Sequence, residues 1–216
     1  MAFNAQGLLN QLLGAGQTSR QARQARPSGL GGGMGGSLAA GALGMLLGSR
    51  RGRGSGLLRT GGAAALGVLA YRAYSEWQSR QGGGGEARTL GRVSGAEAEA
   101  QSQAVLTAVV AAAKADGHID EQEHAAIDAQ LARLGDDPEA QRWLRREIAK
   151  PLDPAEVARA AESDVVAAEM YLASRMVIDT ENDQERAYLN ELARQLRLDP
   201  ELQARLDREA EQAVRH

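Results

Sequence analysis

"AAAKADGHIDEQEHAAIDAQLARLG", residues 111–135, decides the fold. An alanine-rich run ends in an acidic turn around Gly117, and an amphipathic stretch follows. Asp120 supplies an N-cap, Ile127, Leu131 and Leu134 form one stripe at helical spacing, and Gly135 supplies a stop. Residues 172–198, "LASRMVIDTENDQERAYLNELARQLRL", repeat the layout: an apolar helix, an acidic turn and a second helix carrying Leu-Ala-Arg. Both turns hold aspartates four apart, Asp116 with Asp120 and Asp179 with Asp183. Glu123 and Glu185 follow them.

The same signals continue on either side. Ser94 and Glu97 have the spacing of a capping box. Asp137–Pro138, Asp153–Pro154 and Asp199–Pro200 each place a capping aspartate before a proline at the first helical position. The expected helices are 95–115, 120–135, 138–150, 154–163, 165–178, 184–197 and 200–214. No strand pattern intervenes. Residues 93–216 are therefore expected to form an all-α bundle of about seven helices that folds alone.

Residues 1–92 differ in physical character. They carry eleven arginines, two acids and 23 of the 26 glycines, for a net charge of +9, against −12 for residues 93–216. This division predicts a basic, glycine-rich region, partly helical or disordered, that meets an anionic surface. "FNAQGLLNQLL", residues 3–13, places Ala5, Leu8, Leu9 and Leu12 on one side of a short helix. Ser37–Gly48 and Thr60–Tyr71 are apolar runs of 12 residues, shorter than the roughly 20 of a bilayer span. Gly32, Gly36, Ala40, Gly44 and Gly48 recur every four residues, a small-residue ridge of the kind that packs helices in membranes. Tyr71, Tyr74 and Trp77 beside Arg72 and Arg80 have the makeup of an interfacial anchor. Residues 1–92 are thus expected to associate with a membrane surface or bilayer, with "GGGG" at 82–85 as a linker. Gly31, Gly33 and Gly36 satisfy a dinucleotide pattern, but no strand precedes them. Nucleic acid is a poor fit for "RRGRGSG", because no aromatic interleaves the arginines.

The acidic turn has two chemical readings. Asp116, Gly117, Ile119, Asp120 and Glu123 match the second half of a calcium-binding loop. Ala112 and Lys114 occupy the earlier ligand places, so further oxygens would have to come from the 179–185 turn. Such donors favour calcium, magnesium or manganese; His118 and His124 keep zinc as the weaker choice. Alternatively, Asp120 caps a helix and the other acids meet solvent near its N-terminus. The residues alone leave both readings open. The chain has no cysteine and three histidines, which removes disulfides, thiolate ligands and cysteine nucleophiles and leaves no sign of an activated nucleophile.

"AAAKADGHIDEQE" followed by "ASRMVIDTENDQERAYLNELA" resembles the TerB-like helical domain. With "LLNQLLGAG" near the start and a glycine-rich middle, the layout is similar to the bacterial family of unknown function typified by the inner-membrane protein YebE. The resemblance implies a TerB-like fold, a link to tellurite and stress responses, and a divalent cation held by Asp116, Asp120, Glu123, Asp179 and Glu185. Asp183 and Glu181 fit less well, because the second turn lacks the glycine and isoleucine of the first. The resemblance also implies a bacterial inner-membrane location with the helical domain in the cytoplasm. The resulting expectation is a non-enzymatic, membrane-associated scaffold or stress- and metal-responsive protein with an unidentified protein partner. The competing readings are a metal-assisted hydrolase and a soluble interaction domain with a nucleic-acid-binding tail.

Overall fold

The structure is a computed structural model that describes residues 3–14, 62–82, 87–115, 137–178 and 182–215. These residues form eight helices and no strand. In chain order they are α1 (Ala5–Gly14), α2 (Gly62–Arg80), α3 (Gly95–Ala113), α4 (Pro138–Ala149), α5 (Pro154–Ala158), α6 (Asp164–Val177), α7 (Asp183–Gln195) and α8 (Pro200–Arg215). The expected helix over 120–135 lies outside the described residues.

Helix starts follow from local chemistry. The Asp137 carboxylate accepts from the Glu139 and Ala140 N–H groups, and Asp153 and Asp199 cap α5 and α8 in the same way. Each is followed by proline, which has no N–H to leave unpaired. Ser163 accepts from Val166 N–H and starts α6, and α5 ends at Ala158 rather than running to 163. The expected capping box of α3 does not form. Ser94 makes no side-chain cap hydrogen bond, Gly95 begins the helix at φ +64°, and the Glu97 carboxylate pairs with Arg88 instead.

α6 is the centre of the bundle. Val166 to Ser174 are buried without a break, and a helix apolar on all sides belongs inside a core. α2, α3, α7 and α8 pack around it; α1 lies on α2 and α3, α4 and α5 lie on α3, and α7 also meets α5. Leu9, Leu66, Leu106, Leu144, Met170, Tyr171, Leu172, Leu192, Leu202 and Leu206 are the largest fully buried side chains among the described residues. Each stabilises the fold by roughly 1.5–3 kcal/mol relative to exposure.

One core spans both sides of the expected boundary at 92/93. Ala5, Leu8 and Leu9 of α1 and Ala63, Leu66, Ala70, Ala73 and Tyr74 of α2 are buried in the same cluster as the later helices. Phe3 stacks on Trp143 of α4 at 5.0 Å between ring centroids. Glu99 of α3 accepts from the Ala5 and Gln6 N–H groups at 2.7 and 3.2 Å, setting a carboxylate at the positive end of α1.

Candidate functional site

The two acidic stretches expected to form the site follow α3 and α6 in the chain. Gln101 of α3 and Val166 of α6 line one cleft, and further along Ser174 Oγ donates to the Ala108 carbonyl at 3.3 Å. Both pairings match residues 65 or 66 apart. α3 and α6 therefore run parallel and end side by side, at Ala113 and Val177. The segments carrying Asp116 and Asp179 both start from this end.

Lys114 organises the same end. Its ammonium donates to the backbone carbonyls of Glu147 and Lys150, the last orphan carbonyls of α4. Burial lowers its pKa, partly offset by the Glu147 carboxylate. Lys150 in turn pairs with Glu147 at 2.8 Å and with Glu156 of α5 at 3.6 Å. These residues border a cleft of about 220 Å³ that includes Trp143, Asp153 and Val157. The C-termini of α3, α4 and α6 thus converge, each carrying roughly half a negative charge. The N-terminus of α5 lies at the same cleft, capped by Asp153, and that of α7 is served by Asn182 Oδ1, which accepts from Gln184 and Glu185 N–H at 2.9 and 3.4 Å.

Of the five candidate ligands, Glu185 is described. It sits in the first turn of α7 and is buried, so its carboxyl points into the bundle rather than to solvent. Asp116, Asp120, Glu123 and Asp179 lie outside the described residues, as do Glu121, Glu181, His118 and His124. Asp183, the less favoured ligand, faces out: its side chain is 86% exposed and pairs with Arg186. Among the described residues, no group of three or more histidines, cysteines or acids is arranged to hold a metal ion.

The expected lipid-facing features of α2 have partners in the bundle. Ala63, Leu66, Ala70 and Ala73 face the core. Arg72 pairs with Glu209 of α8 at 3.5 Å and Arg80 with Glu201 at 3.3 Å. Arg88 pairs with Glu97, and Arg92 lies over the Tyr71 ring at 4.0 Å. The other seven arginines of residues 1–92 lie within residues 15–61. No described helix is long and apolar enough to cross a membrane. The ridge from Gly32 to Gly48 lies outside the described residues.

Sequence reasoning missed two groups. Glu169 stands in the middle of α6, fully buried, and was signalled by being the one acid in the apolar run "VVAAEMYLA". Tyr171 donates to Asp207 of α8 at 2.9 Å, accepts from Gln203 at 3.2 Å and ties α6 to α8. Its partners come from a helix far along the chain, and no local pattern marks them.

The described residues are all helical, as a TerB-like family member is expected to be. The chain matches the family described as protein of unknown function (DUF533) over residues 32–210 and belongs to it. It is also 34% identical over 96 residues to an uncharacterised protein in the ampR 5′ region of Yersinia enterocolitica, a match covering 44% of this chain and 69% of that protein. No solved structure matches the chain.

Proposed function

We propose that this is a non-enzymatic protein with a divalent-cation site at one end of its bundle and an arginine-rich segment that meets an anionic surface. The observation that carries the reading is the convergence of three helix C-termini at the end from which both acidic segments depart. That end gathers helix carbonyls, those of α4 already met by Lys114, and a cation there offsets repulsion among Asp116, Asp120, Glu123, Asp179 and Glu185. Their oxygens suit calcium, magnesium or manganese. Buried Glu185 fits an inward-facing ligand.

The surface contact is assigned to residues 15–61. Their seven arginines have no acid among them, whereas the arginines of α2 and the turn after it have partners inside the protein. Anionic lipid at the cytoplasmic face of a bacterial inner membrane suits this charge and agrees with the family resemblance. The absence of cysteine and of any activated nucleophile pattern supports a binding role over a hydrolytic one.

Thermal unfolding of the full chain tests the cation. Calcium, magnesium or manganese at 100 times its dissociation constant adds about 2.7 kcal/mol of stability if it binds only the folded state. Asp116→Asn and Asp120→Asn each abolish that gain, and Glu121→Gln leaves it. An equal shift with sodium at matched ionic strength refutes the cation site.

A further inference from the structure

Glu169 lies at the midpoint of α6, and its side chain is fully buried. Its Oε1 accepts a hydrogen bond from the Leu90 backbone N–H at 2.7 Å, and its Oε2 has no hydrogen-bond partner. Leu90 belongs to residues 87–92, which connect α2 to α3. That connection is drawn inward. Ala87, Thr89 and Leu90 are buried, Gln101 Nε2 donates to the Arg88 carbonyl at 2.7 Å, and Arg92 N–H closes a turn on Thr89 O at 2.7 Å. α2 presses on it from outside, since a Cβ placed on Gly67 would stand 2.9 Å from Gly91 N. One carboxyl group therefore ties the central helix to the strap formed by α2 and the turn after it.

The charged groups on the surrounding elements are engaged elsewhere. Arg88 pairs with Glu97 of α3, Glu99 of α3 caps α1, and Arg92 covers Tyr71. On α2 and α8, Arg72 pairs with Glu209, and Arg205 with Glu76 and Glu201. Asp207 of α8 is held by Tyr171 and Arg175, and Glu185 of α7 lies at the other end of α6, beyond its C-terminus. The group that favours a charge on Glu169 is the Leu90 N–H, and burial outweighs it, pushing the carboxyl up to about 8.

We propose that Glu169 is a proton-operated latch: protonated, it holds α2 and residues 87–92 against α6, and ionised, it lets them go. An ionised carboxylate with a single donor in a closed apolar site is costly, and opening the strap admits water to it. The direction follows from linkage. The folded group binds its proton more tightly than the exposed one, whose ordinary value is 4.5. The advantage of the closed form is complete below that value and shrinks about tenfold per pH unit until the pH passes the folded value, then levels off. Opening uncovers Leu66, Ala70, Ala73 and Tyr74.

Hydrogen exchange of the full chain, corrected for the intrinsic pH dependence of exchange, tests the latch. Protection of residues 87–92 and α2 is expected to fall about 200-fold between pH 5.5 and 8.5 in the wild type. In E169Q, which keeps the acceptor and removes the titration, it changes less than threefold. Protection of α4 and α7 stays flat in both. Matching profiles in the two proteins overturn the proposal, as does a uniform loss that includes α4 and α7. Should E169Q fail to fold, a carbon-13 titration of the wild-type carboxyl decides: titration near 8 supports the latch, and titration between 4 and 5 overturns it.

Discussion

Leu66→Ala and Val68→Ala, two positions apart on α2, measure whether that helix belongs to the bundle. Leu66 is 1% exposed and belongs to the shared core, and Val68, on the opposite side of the helix, is 63% exposed. Truncating a buried leucine to alanine costs about 2–5 kcal/mol, and the upper half applies where neighbours cannot relax into the gap. The buried neighbours of Leu66 on its own helix face, Ala63, Ala70 and Ala73, are too short to fill it, and the facing helices are fixed by packing on several sides. A loss of about 3–4 kcal/mol is expected, which for a chain of this length lowers the melting temperature by roughly 6–16 °C. Val68→Ala removes exposed methyl groups and is expected to stay within about 0.5 kcal/mol. Urea and thermal unfolding of the full chain, followed by circular dichroism at 222 nm, give both values. If Leu66→Ala costs no more than Val68→Ala, α2 does not rest on α6 and α8, and the single core described above is wrong.

Two other substitutions follow from the packing. Gly67→Ala forces α2 away from the 87–92 turn, because its new methyl would meet Gly91 N at 2.9 Å; a loss of about 1–3 kcal/mol in urea unfolding is expected. Tyr188→Phe removes a buried hydroxyl that has no hydrogen-bond partner, so stability is expected to hold or rise, and a loss above about 1 kcal/mol would reveal a partner for it.

Much of the fold was legible in the chain because its helix starts are written in local chemistry. Asp137, Asp153 and Asp199 before their prolines mark where α4, α5 and α8 start, though not where α5 ends. Ser94 and Glu97 looked like an equally local signal and failed, because Arg88, nine residues before Glu97, offers that carboxylate a stronger partner than the helix N-terminus. The seat of α2 was not legible for a different reason. An apolar face beside tyrosines and arginines suits lipid and suits a bundle equally, and the deciding partners, Glu201, Arg205 and Glu209, lie more than 100 residues away. Of the acidic site, the residue types were plain, and the parallel course of α3 and α6 that brings their ends together was not. Glu185 was picked as a ligand for its place after the second turn; its burial emerges from the packing of α7.

The long reach of α2 has a consequence for synthesis. Its ionic partners on α8 follow it by 121 to 137 residues: Arg80 pairs with Glu201, Glu76 with Arg205, and Arg72 with Glu209. At about 5–20 residues per second, roughly 6 to 27 s pass between the emergence of α2 from the ribosome and the arrival of α8. During that interval α1 and then α6 can meet α2, but the side that α8 covers has no partner, and the basic residues before it are already outside. Any contact that competes with α8 for α2 has its widest opening then, and the order of synthesis lets it act before the finished bundle covers the face.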